Sequence, residues 1–216
     1  MNHYPLIDSR YEPEAVILAD GDYPTHPTPL DVLRRAHYLC CCDGAARQLA
    51  ARGLQPDAIV GDGDSIGEEL RRRFADRLHI VGEQQDNDLT KATRHCMAQG
   101  YRRMAYLGAT GKREDHTLGN ISLMARYASE MQLDVAMLTD HGYFVPIEGC
   151  ALIETFCGQQ VSIFNLSCTH IEAEGLKWDT YAYQQWWQGT LNEATGQSVM
   201  LRGDGNLMVF RTYNCK

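Results

Sequence analysis

Two aspartates, Asp62 and Asp64, stand two residues apart in Gly61-Asp62-Gly63-Asp64-Ser65. On an extended segment such side chains point to the same side. Carboxylates so placed repel each other unless a cation sits between them. Mg²⁺ suits the position: it is a hard ion, usually held by one or two carboxylates together with substrate phosphates. The opposing reading is a polar loop whose aspartates cap the next helix, and the motif alone does not choose. An EF-hand fails, because Asp62, Asp64 and Gly67 fit its first half but position 12 would be Arg73 instead of Glu.

Three further segments carry chemistry. In Gln84-Gln85-Asp86-Asn87-Asp88-Leu89-Thr90-Lys91, either Asp86 or Asp88 could cap a helix. In the competing reading Asp88 joins the metal site and Lys91, one turn along on the same face, meets a phosphate. Gly108-Ala109-Thr110-Gly111-Lys112-Arg113-Glu114-Asp115-His116 is a glycine-rich loop between an expected strand and helix. Backbone N–H groups at a helix start can cradle phosphate. It is not a P-loop, since Tyr106 stands where the first glycine is required and Arg113 replaces Ser/Thr. Arg113 can still clamp phosphate through two parallel hydrogen bonds. The plainer reading is a tight turn with Asp115 as cap. Lastly, Trp178 in Gly175-Leu176-Lys177-Trp178 is either core or a platform for a flat cationic ring. His116 and His141 lack a nucleophile partner, and no Gly-x-Ser-x-Gly elbow occurs.

The elements that must position these residues alternate. Apolar runs at 15–19, 38–42, 58–60, 78–81, 104–107 and 135–138 read as buried strands. Helical stretches at 30–36, 45–52, 68–76, 88–99 and 116–131 separate them. That alternation predicts βαβ units and a mostly parallel sheet. Asp20, Asp43, Asp62, Asp64 and the Gly108 loop each follow a strand, and ligands of open α/β sheets bind at the carboxyl ends of strands. From Tyr143 the runs shorten to 143–147, 151–156, 160–165 and 170–174, and Gly203-Asp204-Gly205-Asn206 between 199–202 and 207–211 reads as a hairpin. The expected architecture is an α/β domain over 1–142 followed by a smaller all-β domain over 143–216.

Composition narrows the class. A chain of 216 residues buries a sizeable core without cross-links. Its net charge of −8 disfavours a nucleic-acid backbone, which needs a basic face, and suits divalent metal or a cationic ligand. No apolar run is long enough for a membrane span, and the first residues show no signal peptide, so a cytoplasmic location is expected. The eight cysteines include no Cys-x-x-Cys pair, which makes them reduced buried thiols in this reading.

Taken in order, Asp43-Gly44-Ala45, Gly61-Asp62-x-Asp64-Ser65, Asp88-x-Thr90-Lys91, Gly108-x-x-Gly111-x-Arg113-x-Asp115 and Gly175-Leu176-Lys177-Trp178 resemble the thiamine pyrophosphokinase family over nearly the whole chain. The resemblance implies an N-terminal α/β catalytic domain and a C-terminal all-β sandwich that helps bind thiamine, with transfer of pyrophosphate from ATP to the thiamine hydroxyl, giving thiamine diphosphate and AMP, in a homodimer with active sites at the subunit interface. It implies Mg²⁺ on Asp62, Asp64 and Asp88. Asp43 matches a further acidic position of the pocket, and Asp43, Asp64, Arg113 and Asp115 form the catalytic set. Gln84, Ser65, Lys91 and Arg113 match the ATP side. Trp178 matches the residue that stacks on thiamine, with Asp115 either touching substrate or taking its proton. Two departures stand out: Asn87 precedes Asp88 where the family often has Thr, and Asp20-Gly21 replaces an Asn-Gly. The alternatives are a Mg²⁺-dependent nucleotide transferase with another acceptor, and a thiamine or nucleotide sensor without catalysis.

Overall fold

The structure, a computed structural model, describes residues 1–215. Six parallel strands form its centre: β2 (Ala15–Leu18), β3 (Leu39–Cys42), β4 (Ala58–Gly61), β5 (Leu78–Ile80), β6 (Arg103–Leu107) and β7 (Asp134–Leu138). The segments AVIL, LCCC and AIVG are buried throughout, as strands covered on both faces must be. Helices α1 (Pro27–Arg34) and α2 (Ala46–Ala50) cover one face, packing Val32, Leu33 and Leu49 with Val16, Leu18, Cys41 and Ile59. On the other face, α4 (Asp88–Ala98) and α5 (Glu114–Ser129) pack Leu89, Cys96, Met124 and Tyr127 with Ile17, Cys40, Cys42 and Tyr106. The short α3 (Glu68–Arg73) buries none of its residues. The consecutive cysteines thus alternate between two cores as free thiols. Burial pushes the Cys41 and Cys42 thiols up, which keeps them unreactive.

The strand order is β5-β4-β3-β2-β6-β7. From β2 the chain winds outward through β3, β4 and β5, then crosses back to β6 on the other side of β2. The topological switch point therefore lies between β2 and β6, and its crevice is bounded by the loops that follow these two strands.

Beyond β7 the same sheet continues antiparallel. β8 (Gly142–Glu148) pairs with β7, followed by β14 (Asn206–Cys215), β10 (Gln159–Asn165) and β12 (Asn192–Glu193). The result is one ten-stranded sheet with no break at residue 142. A second sheet, in the order β1 (Asn2–Tyr4), β9 (Ala151–Glu154), β13 (Ser198–Gly203), β11 (Ile171–Glu174), packs on its antiparallel part. Ile153, Val199 and Leu201 meet Ile147, Val161, Leu207 and Val209 between them. Two expectations change here. The Gly203–Asn206 turn does not make a hairpin, because β13 and β14 belong to different sheets. Local turn chemistry marks the reversal, but the shared core holds the two strands face to face instead of edge to edge. In addition, the N-terminal strand β1 joins the second sheet, parallel to β9. Three residues, mostly exposed, carry too little pattern to show in the sequence. Arg211 fastens this segment: it is 1% exposed, and its guanidinium donates to the carbonyls of Tyr4 (3.4 Å), Pro5 (3.1 Å) and Glu154 (2.6 Å).

Candidate active site

Asp43 follows β3 directly and opens a 3-10 turn through Ala45. It is 2% exposed. Its Oδ1 accepts from the Gly44 amide at 2.7 Å, and its Oδ2 accepts from the amides of Gly63 at 3.0 Å and Ser65 at 3.4 Å. Asp43 therefore shapes the Asp62–Asp64 loop from below. Gly61 is required for this approach, since a Cβ there would lie 2.6 Å from Asp43 Cγ.

The loop is not the extended segment that the spacing predicts. Gly63 takes a φ of +85°, and the Asp64 amide donates to Asp62 Oδ1 at 3.0 Å. This turn removes the two-residue alternation and leaves the Asp64 side chain exposed. Arg71 fixes the bend from α3, with Nη2 donating to the Gly63 carbonyl at 2.6 Å.

At the start of α4 the cap is Asn87, instead of Asp86 or Asp88; its side chain accepts from the Thr90 amide at 3.0 Å. That frees Asp88, whose Oδ1 accepts from Lys91 Nζ at 3.2 Å, one turn along as the spacing predicts. The Lys91 side chain is only 3% exposed, so the ammonium is committed to this pair. Burial raises the Asp88 carboxyl above the usual range, and the negative charges of Asp43 and Asp62 add to that against the pull of Lys91. The Asp62 carboxyl is held low, chiefly by the Asp64 amide, with Gln84 and Lys91 contributing. Asp43, Asp62, Asp88, Lys91 and Gln84 thus feel one another at one sheet edge. Among the described residues, no three His, Cys, Asp or Glu side chains gather closely enough to hold a metal ion unaided.

Arg113 occupies the cap position of α5, and Asp115 lies in its first turn instead of capping it. Arg113 grips Asp115 with two hydrogen bonds, Nε to Oδ1 at 3.1 Å and Nη2 to Oδ2 at 2.5 Å. The Arg113 contact holds the Asp115 carboxyl below its usual range. Trp178 is 53% exposed, so it is not core. The buried Asn192 brackets its backbone, accepting from the Trp178 amide at 3.1 Å and donating to its carbonyl at 2.8 Å. Lys177 Nζ stands 4.9 Å from the ring centroid.

Some contacts of the site escaped the sequence reading. Asp20 Oδ1 accepts from Gln48 Nε2 at 3.0 Å and pairs with Lys112 Nζ at 3.1 Å. A Cβ on Gly44 would lie 2.7 Å from Asp20 Oδ2, so Asp20 also abuts the turn that Asp43 opens. Gln48 and Asn192 lie in no motif, and only the fold brings them in. A cleft of about 1000 Å³ opens at the opposite edge of the sheet, where Arg103 and Asp134 begin β6 and β7. None of the predicted site residues lines it.

Comparison with known proteins gives the family. The family description "Thiamin pyrophosphokinase, catalytic domain" matches residues 30–137, and "Thiamin pyrophosphokinase, substrate-binding domain" matches residues 142–210. A rice protein, Thiamine pyrophosphokinase 1 (Oryza sativa subsp. japonica), is 27% identical in a 164-residue alignment that covers 64% of this chain. The match spans 60% of the rice protein's length. Among solved structures, a thiamin pyrophosphokinase from Candida albicans superposes with a TM-score of 0.79 at 16% identity, covering 99% of this chain and 93% of that one. One from Bacillus subtilis gives 0.72 at 21% identity, covering 93% and 99%. At those identities the structures speak for the fold, and the two domain matches, which run in order along most of the chain, place this protein in the thiamin pyrophosphokinase family.

Proposed function

We propose that the protein transfers the pyrophosphoryl group of ATP to the hydroxyl of thiamine, giving thiamine diphosphate and AMP, in the presence of Mg²⁺. The observation that carries this reading is the carboxylate set at the sheet edge. Asp88 is held above its usual range by burial and by Asp43 and Asp62, and a bound divalent cation relieves that repulsion. Mg²⁺, when bound, neutralises charge on the transferring phosphates. Asp62 and Asp88 would hold it, joined by Asp64 from the turn.

The chain's own residues supply alignment, which is most of what phosphoryl chemistry needs. Asp43 fixes the acidic loop through the amides of Gly63 and Ser65. Lys91 balances Asp88 from beneath. Arg113 offers a fork to the phosphates, oriented by Asp115; a carboxylate held low by that arginine is a poor proton acceptor and a good orienting partner. Gln84, which helps hold the Asp62 carboxyl low, and Ser65, next to Asp64, would meet the nucleotide. Trp178 presents an exposed face for the cationic thiazolium ring.

The reading includes a homodimer. Trp178, Tyr181, Trp186, Trp187 and Leu191 are all exposed in one stretch of sequence, which suits an interface that would bring Trp178 against a second copy. It also includes a cytoplasmic location; among the described residues no helix is long and apolar enough to cross a membrane. The test is AMP and thiamine diphosphate formation from ATP, thiamine and Mg²⁺. Equal amounts of both products, abolished by EDTA, are expected. A folded protein that makes neither refutes the acceptor assignment.

A further inference from the structure

We infer that Lys112 is a nucleotide-positioning residue of this chain, a cation held ready at the switch-point crevice for the phosphates of ATP. The inference rests on the ATP-dependent reading above and extends it to a side chain that the reading does not use.

Three observations carry it. The first is place. The crevice between β2 and β6 is bounded by residues 19–22 and 108–112, and ligands of open α/β sheets bind there. The two loops are clasped: the Gly21 amide donates to the Gly108 carbonyl at 2.6 Å and the Asp22 amide to the Thr110 carbonyl at 2.9 Å. Lys112 ends the second loop.

The second is backbone. Lys112 has a φ of +56°, in the left-handed region that glycine occupies without strain and lysine does not. Its neighbour Gly111 has a φ of +80°. A turn that needs left-handed backbone twice in succession carries a long cationic side chain at one of the two positions. Strain of this kind persists only where the surrounding structure holds it, and it clusters at functional sites.

The third is charge. Asp20, Asp22, Asp43, Asp62, Asp64 and Asp88 all follow strands or begin the helix at this edge. A polyphosphate needs cations among them. Lys91 is buried and bound to Asp88. Arg113 is held by both oxygens of Asp115. Lys112 adds a further cation: its side chain is 47% exposed, and its ammonium meets the Asp20 carbonyl and one Asp20 carboxylate oxygen. Asp20 in turn abuts Gly44, beside Asp43. The ammonium therefore stands one carboxylate away from the turn that fixes the acidic loop. In this view Asp20 orients Lys112 while the phosphate is absent, and a polyphosphate, with more charge, displaces it.

The test compares Lys112→Gly, Lys112→Gln and Lys112→Arg with the wild type, reading MgATP binding by calorimetric titration, steady-state kinetics and melting temperature. Loss of one charge-assisted contact at an exposed site weakens MgATP binding and raises the KM for ATP by about tenfold in the Gly and Gln variants. The thiamine KM stays within about twofold, and Lys112→Arg recovers most of the ATP affinity. Lys112→Gly relieves the strained φ, so it melts no lower than the wild type while binding ATP less well. A merely structural lysine gives the opposite pattern, with a lower melting temperature and unchanged ATP binding. Unchanged MgATP affinity in both Lys112→Gly and Lys112→Gln, against a wild type that binds MgATP and turns over, overturns the Lys112 inference alone. A wild type that binds no MgATP overturns the functional reading and this inference with it.

Discussion

Replacing Asp43 with asparagine keeps the side-chain size and removes the charge. In the wild type, three amides converge on its two oxygens: Gly44 at 2.7 Å on one, Gly63 at 3.0 Å and Ser65 at 3.4 Å on the other. An asparagine has one acceptor oxygen. Turned toward Gly63 and Ser65, it points its NH₂ at the Gly44 amide; turned the other way, it faces two donors. Each hydrogen bond to a charged group contributes about 1.5–3 kcal/mol, and an orphaned buried donor adds to the loss. Because the Ser65 bond is long, the expected cost is about 2–4 kcal/mol. At about 2–4 °C per kcal/mol for a chain of this size, the melting temperature falls by roughly 4–16 °C. The assay is calorimetry together with amide hydrogen exchange. Exchange at Gly63 should accelerate more than at Ile59 in the core of β4, because the loop loosens before the sheet does. Turnover falls with it, since Asp62 and Asp64 lose their seat. A variant that melts within about 2 °C of the wild type, with Gly63 as protected as before, would show that the carboxylate does not hold the loop.

Other outcomes follow from the same geometry. Asp64→Asn abolishes Mg²⁺-dependent turnover but leaves melting almost unchanged, because the side chain is exposed; near-normal AMP formation would remove Asp64 from the metal site. Trp178→Ala raises the KM for thiamine more than that for ATP, and an equal effect on both would refute the platform role. Asp88→Asn has a pH signature. Its carboxyl lies above the ordinary value of 3.8, so the folded state binds this proton more tightly than the unfolded state does. The wild type has this contribution in full below 3.8 and loses it as pH rises through the folded value. In EDTA, the melting temperature of Asp88→Asn relative to the wild type therefore climbs with pH over that range, even though activity is lost. A difference that stays flat or shrinks would mean that Asp88 carries no net cost when ionised.

The parallel half of the sheet was legible because buried strands such as Val16–Leu18 and Ile59–Val60 are apolar on both faces and end in Asp or Gly. That Asp88 and Lys91 share a helix face was legible because helix spacing is fixed; that they bind each other was not. The Asp62–Asp64 geometry was misread, because period-two alternation assumes an extended chain and Gly63 does not supply one. The cap at Asn87 was hidden between two better-known cap candidates. The role of Asp43 as a three-amide acceptor could not be seen, since Gly63 and Ser65 reach it from another strand end. The pairing of β14 with β8 and β10, instead of with β13, was likewise a matter of which sheet each strand joins.

Strand β1 has a consequence for how the molecule is made. Asn2, His3 and Tyr4 pair with Ala151, Leu152 and Ile153, and Arg211 grips the carbonyls of Tyr4 and Pro5. Residues 2–4 thus have no partner until some 150 more have followed, and their clamp comes from 207 residues downstream of Tyr4. Contacts of such high sequence separation form late and slowly. During synthesis the parallel sheet can assemble through β7 while the N-terminal segment hangs free. Removing residues 1–5 should therefore leave the rate of early sheet formation alone and instead speed the reopening of the finished molecule, because what it takes away is the final latch.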